Sequence, residues 1–385
     1  MRAKTIKAET VDQLSAALTQ SQSDGFHPTL ALVFSSIRQD HEAIARLLDE
    51  KSIAVFGATT AGEFIDGDVG EGMSAVMLLD LAPGYFQLLF LPIGNRELRT
   101  LAQEIGHKGK QAFPNPAFLV SYSGLYTDGE MLVRGIEEAA GDEAVIFGGM
   151  AGDNLTMTGP CVFTNGKASQ DAVIAMVIDG DKVTLKGHAT SGWKPVGKER
   201  TITKSDGHVV YTIDDEPALD VGMKFLGVDP GTPEELSEAL KKMGSYFPIL
   251  VQRPGGDSVV RTTMFANVEE RSLKFSGNVP QGATFRFALP PDFDVVDEVI
   301  AQSREVKKAQ LPEADALVMF SCVARHVTLG PMISGEIDGL QQVWGTPLIG
   351  FFSYGEIGKA TNGKHEFHNN TCCLVALKEN GPAAT

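Results

Sequence analysis

Hydrophobic positions along the chain fall into two alternating kinds of segment. Short unbroken apolar runs closed by Ser or Gly stand between longer stretches in which apolar residues return every three or four positions. The first kind predicts strands buried on both faces, and the second predicts helices lying on a sheet. The order occurs three times. Thr29–Phe34 stops at Ser35-Ser36, then come the helical stretch His41–Glu50, the strand Ile53–Gly57 and the strand-like runs Ser74–Leu81 and Phe86–Leu91. Ala117–Tyr122 stops at Ser123-Gly124, followed by helical Gly129–Ala140, the strand Val145–Gly149 and the runs Ala172–Ile178 and Lys182–Ala189. Ala316–Phe320 stops at Ser321-Cys322, followed by a helix from about Met332 to Val343, the strand Pro347–Phe352 and a last strand, Asn370–Leu377.

A strand–helix–strand crossover brings both strand ends to one edge of its sheet. Each unit also sets a Gly-acid pair after its second strand: Gly62-Glu63, Gly152-Asp153 with Asn154 behind it, and Gly355-Glu356. Open α/β sheets bind ligands at such edges, which makes these residues, with Ser35, Ser36, Ser123, Gly124, Ser321 and Cys322, candidate ligand contacts. Plain turn chemistry competes with that reading, Gly supplying a positive φ and the acid capping a turn. A repeat can also be inherited scaffold with one working copy.

Residues 191–312 break the pattern. Thr201–Ile213 alternates around Ser205-Asp206-Gly207 and predicts a hairpin. Pro217–Leu226 and Pro233–Met243 predict short helices, the second capped by Thr232, and Phe247–Gln252, Ser258–Phe265, Ser272–Phe275 and Thr284–Ala288 predict strands. Asp292–Ala309 has a helical period, and Leu289-Pro290-Pro291 marks a boundary before it. The expected fold class is α/β: two lobes of repeated crossover units, with mixed sheets and outer helices, compatible with an α/β/β/α sandwich. Residues 1–190 would hold the first two units, and 191–385 the strand-rich stretch and the third. A pocket would lie at the strand ends between the lobes.

Charge narrows the partners. The 385 residues carry 33 Lys and Arg against 49 Asp and Glu, a net charge of −16 with no basic run, which argues against nucleic acid or an anionic membrane. The polar N-terminus lacks the apolar core of a signal peptide and no membrane-length apolar stretch follows, so a cytoplasmic location is expected. The four Cys, at 161, 322, 372 and 373, show no C-x-x-C spacing, and the glycines form no dinucleotide or P-loop fingerprint. Cys322 with His326 four residues on could be read as nucleophile and base, but the first two units carry Ser at that position, which points to a small polar loop residue. No catalysis is expected.

Ser321-Cys322 with Arg325, Gly350–Glu356 (GFFSYGE) and Asn370-Thr371, together with GGMAGDNL at 148–155 and HATSGWKPVGKERTITKSDGHVVYTIDDEPAL from His188, resemble the FIST sensory domain over essentially the whole chain. The resemblance implies a small-molecule sensor, amino acids being one ligand class, acting on a signalling partner. With no output module attached, the chain is similar to free-standing nitric-oxide-sensing FIST proteins of the NosP type. These carry haem b and act on a histidine kinase or other signalling protein. A b haem would need an axial imidazole. Of eight His, His188, beside Trp193 in an apolar neighbourhood, is the first choice for that metal role and His326 the second, although a half-buried structural imidazole explains each as well. Arg325 would hold a carboxylate, from a propionate or an amino acid, or pair with Glu356 and lock two loops together.

Overall fold

The computed structural model describes residues 1–124, 127–253, 256–292, 294–360 and 364–381. Each unit folds as its pattern predicts. Leu30–Ser36, His41–Asp49 and Ala54–Thr60 form the first crossover, Pro116–Tyr122, Gly129–Ala140 and Val145–Met150 the second, and Ala316–Cys322, Met332–Trp344 and Leu348–Ser353 the third. Within each unit the two strands pair in parallel. The third unit inserts an unexpected short helix, Val323–Leu329, directly after its first strand.

A hairpin succeeds each second strand, and each hairpin leaves its own unit. Glu63–Ile65 with Asp68–Gly70 joins the third unit's Leu348–Ser353. Val162–Thr164 with Lys167–Ser169 joins the first unit's Ala54–Thr60. Glu356–Lys359 with His365–His368 joins the second unit's Val145–Met150. The trailing strands are handed on in the opposite direction: Phe86–Pro92 pairs with Ala172–Asp179, Val183–Thr190 with Cys372–Glu379, and the N-terminal Ala3–Ala8 fills the equivalent place beside Ser74–Leu79. The result is three six-stranded mixed sheets in a pseudo-threefold arrangement, not a two-sheet sandwich.

Side-chain alternation shows how the sheets close. Leu30, Leu32 and Phe34 face one central core shared with Leu119, Phe147, Phe320 and Phe351, whereas Ala31 and Val33 face outward under Leu14, Leu18, Ile44 and Leu48 of the flanking helices. Phe34 stands 4.6 Å from Phe351 and 6.1 Å from Phe320, ring centre to ring centre. Strands buried on both faces need unbroken apolar runs, which is why the pattern is continuous.

The third unit therefore shares sheets with the first two. That stretch forms a second body: an eight-stranded sheet ordered Val259–Arg261, Ile249–Val251, Thr284–Leu289, Lys194–Asp206, Val209–Ile213, Ser272–Phe275, Thr263–Asn267, with Glu216–Pro217 on Val209–Ile213. Helices Ala218–Leu226 and Pro233–Ser245 cover it, the latter capped by Thr232, which accepts from Glu235 N at 3.2 Å. The chain enters at Lys194 and leaves at Leu289, two residues paired to each other, so both connections lie at one corner.

Candidate functional site

The three Gly-acid loops do converge. Ala61 N donates to Phe352 O at 2.9 Å and Phe352 N to Gly62 O at 2.8 Å; Met150 N donates to Gly355 O at 2.8 Å; Gly152 N donates to Thr59 O at 2.8 Å and Asn154 N to Thr60 O at 3.1 Å. Each loop is thus bonded to both others in a closed ring. Gly152 is required there, because a Cβ would stand 2.7 Å from Ala61 N, and Gly62 lies at φ +116 against Phe352. The ring is packed backbone.

Inside it the acids act on the protein itself. Glu63 is buried, accepting from Thr60 Oγ1 at 2.5 Å and Met73 N at 2.6 Å, and burial pushes its carboxyl up to about 7. Glu356 repeats the arrangement: Ser353 Oγ donates to it at 2.6 Å, Thr371 N adds a second bond, and burial raises its carboxyl well above the usual range. Its Oε2 has no partner, although the Cys322 thiol lies beside it. Asp153 is different. Burial opposes its charge, but the Tyr354 hydroxyl and the N–H groups of Gly159, Thr158 and Met157 hold its carboxyl below the ordinary value. All three acids are hydrogen-bonded within the protein.

An acid whose folded pKa exceeds its unfolded one stabilises the fold fully below the unfolded value and loses that contribution as pH rises through the folded one. Against Glu63→Gln, the wild type should therefore lose on the order of 3 kcal/mol between pH 4.5 and 8, the loss being nearly complete once the folded carboxyl has titrated at about 7. Urea titrations of both proteins across that range measure it.

The remaining candidates separate. Ser35 Oγ and Ser74 Oγ bond at 2.7 Å, and Ser36 Oγ receives Arg38 N at 3.3 Å and Asn154 Nδ2 at 3.4 Å. Ser123 donates to Ser169 O at 3.1 Å and accepts from Ala172 N at 3.0 Å, and Gly124 turns at φ +107. Ser321 Oγ is buried without a partner. Cys322 is buried, and burial followed by the nearby Glu356 raises its thiol far from the thiolate range; His326 stacks on Phe352 at 4.0 Å instead of serving it as a base. Arg325 is not paired with Glu356. Its fork is filled by Glu336, at 3.2 Å and 2.5 Å, and Nη1 donates to Ser191 O at 2.5 Å, while its guanidinium sits 5.9 Å from the Trp193 ring.

One cleft does open where the expected pocket was placed. Thr127, Asp128 and Met150 of the second unit and Tyr354 of the third face His208, Met264, Lys274, Phe275 and Ser276 of the strand-rich body across about 30 Å³, room for one or two waters. Burial raises the Asp128 carboxyl against the pull of Arg261; burial and then Lys274 lower the His208 imidazole. Beside the cleft the two bodies are clamped. Glu130 accepts from Arg261 Nη2 at 2.7 Å and Arg253 Nη2 at 2.6 Å, and Arg261 Nη1 donates to Phe367 O at 2.8 Å. Ser276 Oγ donates to Asn369 Oδ1 at 2.5 Å and Asn370 Nδ2 to Thr262 Oγ1 at 3.2 Å. The sequence reading missed Glu130, Arg261 and Glu336. Each is a charge inside an apolar period, beside Leu132 and Val133, Val259 and Val260, and Ile333 and Ile337, and that was the available signal.

Comparison with known proteins divides the chain differently. Residues 29–216 match the FIST N domain and 218–359 the FIST C domain. The chain belongs to the FIST family. FIST domains are generally sensory, ligand-binding domains of signalling proteins. The family boundary at 217 falls inside the strand-rich body, after its long hairpin, where the sequence reading had divided the chain near 190. Uncharacterized proteins of Mycobacterium bovis and Mycobacterium tuberculosis are 27% identical over 193 residues, 48% of this chain and 48% of theirs. One of Methanocaldococcus jannaschii is 24% identical over 249 residues, 58% of this chain and 47% of its own. The chain spans about half the length of these relatives. No helix among the described residues is long and apolar enough to cross a membrane.

Haem would need one of two imidazoles, His188 or His326, as its axial ligand. His188 Nδ1 lies 3.1 Å from Thr190 Oγ1, its Nε2 has no partner, and burial lowers the imidazole to about 4, so it is neutral as a ligand must be. Yet neither His188 nor His326 lines the cleft or three other hollows, on helices 295–309 and 332–344, on helices 218–226 and 233–245, and beside His41.

Proposed function

We propose that this FIST protein senses a small polar molecule, an amino acid or similar small carboxylate, in the cleft between the strand-rich body and the second unit's strand ends. The observation that carries the reading is the joint itself. Two adjacent connections at one corner form a hinge, a buried ion pair and polar bonds form a latch, and Asp128, His208, Tyr354 and Ser276 converge in between. Anything larger than one or two waters requires the hinge to open, so occupancy changes the relative population of open and closed forms. That change is what a histidine kinase or other signalling partner would read.

The haem and nitric-oxide reading rests on the free Nε2 of neutral His188. A thermal-shift panel of amino acids and small carboxylates, run beside hemin reconstitution, separates the two. At least one small molecule should raise the melting temperature, and hemin should give no Soret band that depends on His188. A stable Soret band abolished by His188→Ala, with no shift from the panel, would replace the cleft reading with the haem one.

A further inference from the structure

The helix Val295–Ala309 begins where the chain returns from the strand-rich body, and with Met332–Trp344 it bounds a groove of about 700 Å³ on the outer face of the third unit. At one end Ile300 lies so close to Gly339 that a Cβ there would stand 2.2 Å from Ile300 Cδ1. Arg304, Lys307 and Lys308 follow Ile300 on the same helical face. Lys307 is fixed, its Nζ donating to Val343 O at 2.7 Å and standing 5.8 Å from the Trp344 ring. Arg304 and Lys308 are exposed and form no ion pair among the described residues. None of the eight lining residues is acidic, in a chain whose net charge is −16.

We propose that this groove docks an acidic segment of a partner protein. Charge complementarity sets the sign, and the backbone sets the chemistry. The wall carries carbonyls from the last turn of Met332–Trp344, the negative end of that helix, and no helix N-terminus supplies the N–H groups that a compact phosphate seeks. A peptide brings both complements: N–H donors for carbonyls and carboxylates for Arg304 and Lys308. If the cleft reading holds, the groove is also placed to follow the hinge, because Gln302 of the cationic helix accepts from Thr190 Oγ1 at 2.5 Å beside the outgoing connection. Docking itself does not depend on that reading.

Selection of 12-residue displayed peptides on the full chain, with counter-selection on Arg304→Glu/Lys308→Glu, tests it. Selected peptides should be enriched in Asp and Glu, and their fluorescence anisotropy should report at least tenfold weaker binding to the double variant. The matched-charge control Lys51→Glu/Lys241→Glu, at exposed positions elsewhere, should bind as the wild type does. Failure to select any peptide, selection without acid enrichment, or full retention of binding by the double variant would overturn the proposal. So would tighter, groove-dependent binding of tripolyphosphate than of any selected peptide, which would make the groove a small-anion site.

Discussion

Glu130→Ala should destabilise the protein by about 3–5 kcal/mol, because it leaves a buried cation without its counter-charge. Arg261 is fully buried and its Nη2 has Glu130 as its carboxylate; Arg253 and Arg134 stand near the same acid and would then repel it. Three arginines hold the Glu130 carboxyl below its ordinary value although burial works against its charge. The damage should be directional. The latch opens first, so limited proteolysis should cut within residues 194–289 before it reaches the three sheets. A Glu130→Leu/Arg261→Met pair should recover most of the loss, since replacing both partners removes the stranded charge. Urea unfolding of the wild type and the two variants gives the numbers, and a Glu130→Ala midpoint equal to wild type would show that the clamp is not a stabilising contact.

Phe351→Ala is expected to cost about 3–5 kcal/mol as well, by a different route. Its ring lies in the core common to all three sheets, 4.6 Å from Phe34 and 5.6 Å from Phe320, with no water able to fill the void. Since each sheet borrows strands from a neighbour, the lesion cannot stay in the third unit. Hydrogen exchange should accelerate together in Leu30–Ser36, Pro116–Tyr122 and Ala316–Cys322. Acceleration confined to the last of these would mean that the units are independent domains.

How much of the fold was legible depends on the information that alternation encodes. Leu30–Phe34 and its counterparts declare strands, and the threefold order declares the crossovers, because burial on both faces leaves a continuous apolar run. Partner choice leaves no such mark. Nothing in Glu63–Ile65 says that it pairs with Phe351 and not with its own unit, so the three-sheet body was read as two lobes. Convergence of the Gly-acid loops was predictable from the crossover geometry, but their role was not: Glu63 and Glu356 are occupied by Thr60 and Ser353 three residues earlier, a local bond that a turn and a ligand site would both display. Arg325 was misassigned because its partner, Glu336, sits in a helix whose apolar stripe concealed it.

The sensing role stands or falls on where a bound molecule sits. With a small molecule found by thermal shift, the decisive measurement is its affinity for Asp128→Asn, Tyr354→Phe and His188→Ala by titration calorimetry. The cleft predicts at least tenfold weaker binding to the first two and unchanged binding to the third. Unchanged binding to Asp128→Asn and Tyr354→Phe, with loss in His188→Ala, would contradict it.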